Sequence, residues 1–299
     1  MKRVRAALAL VCLGFSSSAF AGWDTYVSST GSDANAPTGC TRVLPCATFS
    51  GTFGATVANG VIHVIDQGAY GTLTITHGVT LDGGNIGSAI GGSGSTIFLA
   101  SQIVVNAPSA IVTIENLTLS GSNIAPNGIA VTNVGGLHVQ NCTFSGFTTA
   151  AINFQSASGQ LEMTNVSISD IPSGNGVIVV NARAALDSVR IHHTQTAVLA
   201  SGSSTVSIRR STVNGNGSGF VAAYGPTAEL HVDDCMMTNN QWAVVVASGA
   251  RAYLSRSTLS NNFITAMFND GMSSLISYGD NHFASNASDG TFTSTLTTK

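Results

Sequence analysis

The segment Leu137-His-Val-Gln-Asn-Cys-Thr-Phe144 returns later in the chain as Leu230-His-Val-Asp-Asp-Cys-Met-Met237. In both copies apolar and polar residues alternate, which is typical of a short β-strand with one buried face. Related segments precede, separate and follow these two. The residues that end the successive strands are Leu117, Cys142, Val166, Val189, Ser211, Cys235 and Ser257, at spacings of 25, 24, 23, 22, 24 and 22 residues.

A second series of strands follows the first with the same period. Its centres are Ile129, Ile152, Ile178, Val198, Val221, Val244 and Ala266. Two series that share a period of about 23 residues indicate a solenoid of stacked coils. Leucine-rich repeats have a similar length, but their leucine and asparagine framework is missing, and propeller blades need about 40–45 residues. The sequence therefore predicts an all-β, single-stranded parallel β-helix.

The repeat also predicts which side chains share a column along the stack. The inward residues are predicted to be Leu137, Val139, Cys142 and Phe144, with Leu230, Val232, Cys235 and Met237 in the same columns further along. Asn116, Asn141 and Asn165 share one turn column, where side-chain amides can hydrogen-bond from coil to coil. These asparagines also match the glycosylation sequon, but the period of the coil accounts for their recurrence.

Residues 1–21 are predicted to be a secretory signal peptide. Lys2, Arg3 and Arg5 precede the apolar run Ala6–Phe15, which is too short to span a bilayer, and Ala19-Phe-Ala21 is a suitable cleavage site. We therefore expect a product that is exported to the periplasm or the extracellular space and is not inserted in a membrane.

Three further segments are predicted. Residues 22–60 form an N-terminal cap, in which Phe49, Phe53 and Val57 at helical spacing predict a short amphipathic helix over Thr48–Asn59 that ends at Gly60. Residues 61–283 form the β-helix, and residues 284–299 form a C-terminal cap or tail. Such covers protect the strand edges at the ends of the stack.

The charge of the mature chain restricts its partners. Three of the 11 Lys and Arg residues lie in the signal peptide, so eight remain against 14 acidic residues, a net charge near −6. Such a chain lacks the basic surface that nucleic acids require. Polyanionic sugars would also be repelled unless arginines are locally concentrated.

The four cysteines of the mature chain fall into two pairs. Cys40 and Cys46 flank a short loop and predict a disulfide in an oxidising compartment, with a zinc site as the alternative, although no further ligands lie nearby in the sequence. Cys142 and Cys235 occupy the same inward position four coils apart, about 19 Å at the strand spacing. That separation is too large for a disulfide, so both are predicted to be buried free thiols.

Several short motifs resemble the bacterial right-handed parallel β-helix repeat proteins of the pectin-lyase-like superfamily. They are Tyr26-Val-Ser-Ser-Thr-Gly-Ser-Asp-Ala-Asn35, the Cys40–Cys46 loop, Gly68-Ala-Tyr-Gly71 and Ser277-Tyr-Gly-Asp-Asn281. The resemblance implies a right-handed coil, and relatives include pectate lyases, polygalacturonases, epimerases, tailspikes and adhesins. Of the polygalacturonase motifs only the paired Asp233-Asp234 is present, so the resemblance does not imply an activity.

Charged residues gather in two outward columns of the first strand series. One column reads Thr113, His138, Glu162, Ala185, Ser207, His231 and Tyr253, and the other reads Glu115, Gln140, Thr164, Asp187, Arg209, Asp233 and Ser255. Glu162 and Asp187 would lie roughly 8 Å apart, a separation that suits a glycosidase acid and base. In this interpretation Arg209 holds a sugar carboxylate, His231 and Asp233 assist, and Tyr253 or Trp242 stacks on sugar.

A structural interpretation competes with the catalytic one. Asp187, Arg209 and Asp233 alternate in sign along one column, so Arg209 would neutralise its neighbours. Glu229, Asp233 and Asp234 could bind calcium weakly, but pairing is favoured and no cofactor is predicted. His192-His193 is interpreted as a solvated turn and not as a metal site, because no third ligand lies near in the sequence.

The sequence thus favours an exported, non-catalytic β-helix that binds an envelope or extracellular polysaccharide or serves as a structural surface. Arg209, Tyr253 and Trp242 are its candidate binding residues. One alternative is a polysaccharide lyase or glycoside hydrolase that uses Glu162, Asp187, Arg209, His231 and Asp233. Another is an adhesin-like surface that binds protein.

Overall fold

The computed structural model describes residues 22–84, 96–98 and 102–296. The signal peptide predicted over residues 1–21 lies outside these ranges. The strands stack in parallel into a solenoid of about nine turns, with coils of about 23 residues and 5% helix. This confirms the predicted stack of parallel coils.

Each complete coil contributes one strand to each of three faces. The first face contains β1 (Gly22–Val27), β2 (Thr56–Val64), β4 (Val79–Asp82), the ends of β6 (Ile103–Glu115) and β8 (Asn127–Gln140), β11 (Gln160–Thr164), β13 (Arg183–Asp187), β15 (Thr205–Arg209), β18 (Glu229–Asp233), β21 (Arg251–Ser255), β24 (Ser274–Ser277) and β26 (Ser294–Thr295). The second face contains β5 (Thr96–Phe98), β7 (Thr118–Ser120), β9 (Thr143–Ser145), the beginnings of β12 (Ser167–Val180) and β14 (Arg190–Ser201), β16 (Thr212–Asn214), β19 (Met236–Thr238), β22 (Thr258–Ser260) and β25 (His282–Ala284). The third face contains β3 (Leu73–Ile75), the beginnings of β6 and β8, β10 (Ala150–Phe154), the ends of β12 and β14, β17 (Ser218–Ala223), β20 (Trp242–Val246) and β23 (Thr265–Asn269).

The inward columns follow the predicted repeat. Leu137 aligns through β11, β13 and β15 with Leu230, and Phe144 aligns through β12, β14 and β16 with Met237. All eight predicted inward residues are buried. Because each coil places an apolar residue on the one before it, the core is continuous along the axis.

The second strand series needs a correction of one residue at three coils. Ile152 aligns with Val177 and not with Ile178, and the column continues through Phe220 and Met267 instead of Val221 and Ala266. A shift of one residue in the assigned centre exchanges the inward and outward faces of a strand. The corners differ in length, as in the irregular pairing between Ile171 and Asn175, so a fixed period misplaces these strands.

The N-terminal cap contains a shorter helix than predicted. The α-helix α1 spans Phe49–Ala55, and the chain then enters β2 instead of continuing helically to Asn59. The side chain of Thr48 caps the helix, and Phe49 packs edge-on against Tyr70 beneath it. Thr56 and Val57 are β-branched and favour a strand, which explains the early end.

Strand pairing continues beyond the predicted limits of 61–283. β1 pairs with β2 in parallel, and β26 pairs with β24 at the other end. A 3₁₀ helix at Asp33–Thr38 completes the N-terminal cap. Cys40 and Cys46 form the predicted disulfide, with Cα atoms 5.1 Å apart, which fits an oxidising compartment.

The corner after the first face is built from left-handed residues. The equivalent residues of seven coils, Asn116, Asn141, Asn165, Ser188, Arg210, Asp234 and Arg256, have φ between 46° and 58°. Asn165 donates to the side chain of Asn141 at 2.9 Å, and Asn141 donates to that of Asn116 at 3.2 Å. The predicted amide column is therefore confirmed.

A second, buried amide ladder lies where the second face meets the third. The Oδ1 atom of Asn216 accepts from Thr194, that of Asn240 accepts from Asn216, and that of Asn262 accepts from Asn240, at 2.9–3.3 Å. Asn286 extends the ladder to the next coil. The sequence analysis did not identify this ladder, although these asparagines recur at intervals of 22 to 24 residues.

The thiols provide a test of the register. Cys142 and Cys235 are buried free thiols, and burial raises the pKa of each to about 12. Since the thiolate is the reactive form, we expect neither cysteine to react with a thiol reagent in the folded protein. The mature chain, residues 22–299, should contain two reactive groups when it is denatured but unreduced. Four groups would contradict the disulfide, and rapid reaction before denaturation would contradict the burial.

The buried ladder can be tested with two asparagines of one coil. Asn216→Ala should destabilise the protein by roughly 3 kcal/mol, because buried groups of Thr194, Ile191 and Asn240 would lose their partner. Asn214→Ala is the matched control. Its side chain is exposed and, among the described residues, accepts a hydrogen bond from Asn239 alone, so less than about 0.5 kcal/mol is expected. Urea unfolding measures both variants, and equal losses would show that the ladder contributes no special stability.

Candidate functional site

A shallow cleft of about 440 Å³ opens on the first face. One outward column runs from Glu162 through Ala185 and Ser207 to His231, on four strands in register. The two small side chains leave a depression between the larger ones at either end. We call this depression the charged cleft.

All five candidate catalytic residues of the sequence analysis line the charged cleft. They are Glu162, Asp187, Arg209, His231 and Asp233. Glu162 and Asp187 lie on adjacent strands, two residues apart in register, as predicted. The cleft therefore brings together the residues that a hydrolytic or binding site would use, and their contacts decide between these roles.

Asp187 is held by two arginines. Arg209 Nε donates to one carboxylate oxygen at 2.9 Å, Arg210 Nε donates to the other at 3.0 Å, and Arg210 makes a further bond through Nη2. Partial burial would raise the pKa of Asp187, but hydrogen bonds from Ser188, Arg210 and Arg209 outweigh it and lower the pKa. Asp187 is therefore a stable carboxylate and a poor proton donor.

Asp233 has its own partners. Ser255 donates to it at 2.6 Å, and Arg256 pairs with its other oxygen. Partial burial would raise the pKa of Asp233, but Ser255 and Arg256 lower it. Arg209 pairs with Asp187, as the structural interpretation expected, and its charge also favours the Asp233 carboxylate. The sequence analysis did not assign a part to Arg210 and Arg256, which lie in the left-handed corner and reach back to the carboxylates of the preceding coil.

Histidines complete the two ends of the charged cleft. At one end His138 faces Glu162 at 3.6 Å. At the other end His231 stacks on Tyr253, with ring centroids 4.9 Å apart and planes at 3°, and contacts Glu229 at 3.7 Å. Tyr253 thus turns one ring face to a histidine, which reduces the surface available for stacking on sugar.

These contacts favour a structural role over catalysis. Glycoside hydrolysis needs one carboxylic acid that keeps its proton near neutral pH, and such an acid has a raised pKa. The two cleft aspartates with shifted pKa values are both shifted downward. Two of the three residues that could bind calcium weakly already have other partners. Asp233 pairs with Arg256, and Glu229 contacts His231.

A larger groove of about 820 Å³ lies at the corner between the second and third faces. The corner residue is His193 on one coil, Gly215 on the next and Asn239 on the one after, and all three have left-handed φ angles. Two residues further on, Gln195 and Gln241 flank Gly217 in the same way. The coil with two glycines thus forms the floor, and its neighbours form the walls.

Aromatic and amide side chains line this groove, which we call the amide–aromatic groove. Trp242 and Phe263 stand beside Gln241, and Phe263 is 66% exposed. The buried ladder fixes the backbone beneath them through Asn216. Trp242 therefore belongs to a different site from Arg209 and Tyr253, with which the sequence analysis had grouped it.

Sequence reasoning missed the other groove residues, although a signal was present. The segment Gly215-Asn-Gly-Ser218 carries glycines where the neighbouring coils carry large polar residues. A Cβ atom at Gly217 would lie 2.6 Å from the carbonyl oxygen of Gln195, so the close approach of the coils requires glycine there. Comparison of corner residues between coils would have indicated the groove.

One corner cluster contains three potential metal ligands. Within the described residues, Asp170, His192 and His193 form the single group of three or more His, Cys, Asp or Glu side chains whose ligand atoms all lie within 4.8 Å of one another. The solvated-turn interpretation of the histidines assumed that no third ligand was near in the sequence. Asp170 comes from the preceding coil, because Ser169 pairs with His192.

The arginine pair can be tested by its pH dependence. Replacing both arginines, Arg209→Gln/Arg210→Gln, should destabilise the protein at pH 7 by up to about 1 kcal/mol. Because the pKa of Asp187 is lower in the folded than in the unfolded chain, its ion pairs stabilise above about pH 4 and are lost as the pH falls through the folded value. The difference from the parent should therefore vanish in acid. Urea midpoints across pH, with Arg183→Gln as control, measure this, and a difference that persists in acid would contradict it.

Comparison with known proteins agrees with the architecture. Within the described part of the chain, no helix is long and apolar enough to cross a membrane. No curated protein matches the sequence. The profile of one family, described as a right handed beta helix region, matches residues 101–264, which is more than half of the chain and includes both clefts. With its stacked parallel coils, the chain belongs to the right-handed β-helix family.

Proposed function

We propose that this chain is an exported, non-catalytic polysaccharide-binding protein that holds an uncharged glycan in the amide–aromatic groove. The observation that carries the proposal is the combination in that groove of Trp242 and Phe263 with the amides of Gln195, Asn239 and Gln241. Export is proposed from residues 1–21, and the Cys40–Cys46 disulfide supports it.

The chemistry of the lining suits sugar hydroxyls. Each side-chain amide offers two N–H donors and an acceptor oxygen, so Gln195 and Gln241 can bond neighbouring hydroxyls as donor and acceptor together. Aromatic rings provide rigid apolar faces at little conformational cost, which suits the apolar face of a sugar ring. A groove with these groups selects for hydroxylated, uncharged ligands.

The geometry of the coil suits a polymer. Gln195 and Gln241 lie two coils apart, about 10 Å at the strand spacing, with Gly217 between them. A chain that runs along the solenoid axis would meet one wall, cross the open floor and meet the second wall. A monosaccharide would contact only part of this arrangement, so we expect affinity to increase with chain length.

The acidic residues of the two sites argue against the alternative that the protein is a polysaccharide lyase or glycoside hydrolase. The described residues that line the groove include no Asp or Glu. In the charged cleft, Asp187 and Asp233 are occupied by arginines. A glycosidase of the two-carboxylate type would need available carboxyl groups at the bound glycan, and the described lining of the groove provides none.

An adhesin-like surface is a second candidate, and one observation favours it. The outward column of the third face is apolar on five successive coils, Ile178, Leu199, Val221, Val245 and Phe268. Outward apolar residues in a continuous column are more typical of a protein contact than of a solvated face. None of these five side chains lines the groove itself, so variants can distinguish the two candidates.

Tryptophan fluorescence can test the glycan proposal directly. The sequence has two tryptophans, so the variant Trp23→Phe leaves Trp242 as the single reporter. Titration with neutral soluble polysaccharides should change its emission saturably, whereas polygalacturonate should not. In the same background, Phe263→Ala and Gln241→Ala should each weaken binding by roughly tenfold, which corresponds to about 1.4 kcal/mol.

Two control variants make the result specific. Ile264→Ala removes a half-exposed apolar neighbour of Phe263 that does not line the groove, so binding should be unchanged. Arg209→Gln alters the charged cleft and should also leave binding unchanged. Loss of binding in Arg209→Gln alone would place the glycan in the charged cleft. Release of reducing ends or unsaturated products by the parent would contradict the non-catalytic proposal.

A further inference from the structure

Asp170, His192 and His193 lie together at the corner between the second and third faces, beside the amide–aromatic groove. Asp170 and His193 are corner residues of consecutive coils, with φ angles of 58° and 54°, and His192 is the outward strand residue just before His193. From their proximity to one another, we infer that these three side chains form a binding site for a divalent transition-metal ion.

The distances fit a metal better than a hydrogen bond. His193 Nδ1 and Asp170 Oδ1 are 3.4 Å apart, which is long for an N–H···O bond. Two ligand atoms at about 2.0–2.1 Å from a tetrahedral zinc ion lie about 3.3–3.4 Å apart. The pair therefore already has the separation of two ligands on one ion.

The imidazole of His192 also lies close to the pair formed by His193 and Asp170. The ring centroids of His192 and His193 are 5.1 Å apart and their planes are nearly perpendicular, at 80°. One ligand atom from each of the three side chains lies within 4.8 Å of the other two. Asp170 and His193 are exposed and His192 is partly exposed, so the side chains are able to rotate toward a shared ion.

The backbone holds two of the ligands in place. Thr194, which follows His193, donates from both its N–H and its hydroxyl to buried Asn216. Ser169, which precedes Asp170, pairs in register with His192. The ligands thus project from a backbone that the buried ladder and the strand pairing make rigid, which reduces the cost of organising the site.

The donor set determines which ions would bind. Two imidazoles and one carboxylate suit Zn²⁺, Cu²⁺ and Ni²⁺, whereas Ca²⁺ and Mg²⁺ prefer oxygen ligands. Arg190 lies two residues before His192 on the same outward face, about 6.6 Å along the strand. The positive charge of Arg190 repels cations, which further disfavours ions that bind mainly by electrostatic attraction.

The site would leave a coordination position open toward the groove. His193 lines the groove, and the next corner residue is Gly215, which has no side chain to cover the ring. A Cβ atom there would approach His193 Cδ2 at 3.5 Å. Three protein ligands with a remaining position for water or another ligand is the arrangement of an open metal site.

Calorimetric titration of the purified protein with ZnCl₂ and CuCl₂ tests this inference, and no glycan is needed. We expect one ion per chain, and each of Asp170→Asn, His192→Asn and His193→Asn should weaken binding at least tenfold. Asparagine tolerates the left-handed conformation of the two corner positions, and all three side chains are partly or fully exposed, so the variants should fold. Circular dichroism checks this.

His138→Asn is the matched control. His138 and Glu162 form a similar His–carboxylate pair at 3.6 Å, but within the described residues no second imidazole joins them, so this variant should bind as the parent does. Electron paramagnetic resonance of the Cu²⁺ form should show coupling to two imidazole nitrogens. Equal affinity in the parent and His193→Asn, an equal loss in His138→Asn, or coupling to fewer than two nitrogens would overturn the inference. Because the titration contains no sugar, its failure would leave the glycan proposal unaffected.

Discussion

Register between successive coils is the constraint on which the rest of this structure depends. Parallel strands bond only when each coil places its strand directly above the last, so each corner must turn the chain at the same point. Left-handed residues recur at equivalent corner positions to achieve this turn. Once the register is fixed, equivalent side chains of successive coils lie next to one another in columns. Most side-chain interactions are therefore made along these columns.

The columns explain how polar groups are accommodated inside and on the solenoid. Asn216, Asn240 and Asn262 are buried, yet each amide accepts from one coil and donates to another, so no desolvation penalty accumulates. On the first face, Asp187 and Asp233 are compensated by arginines from a following coil. In both the ladder and the aspartate pairs, a polar group is satisfied by the coil above or below it.

The sequence predicted the coils because apolar alternation repeats at a nearly constant period. The columns of Leu137 and Cys142 could be placed from the strand ends alone. The second strand series was misplaced by a residue at Val177, Phe220 and Met267, because corner length varies while alternation continues. Side-chain choices at corners, such as Arg210 reaching back to Asp187, depend on rotamers that no pattern of hydrophobicity encodes.

The candidate sites show where such a fold can vary. Inward positions are restricted by packing, and strand pairing restricts the backbone of the faces, so corner and outward side chains are the ones free to change. The groove exists because Gly215 and Gly217 replace larger residues on a single coil. The proximity of Asp170 and His193 could have been predicted from the sequence. Each lies four residues after a predicted strand end, at Val166 and Val189. Functional sites on a β-helix are therefore best sought by comparing the corner residues of adjacent coils, in addition to determining the repeat period.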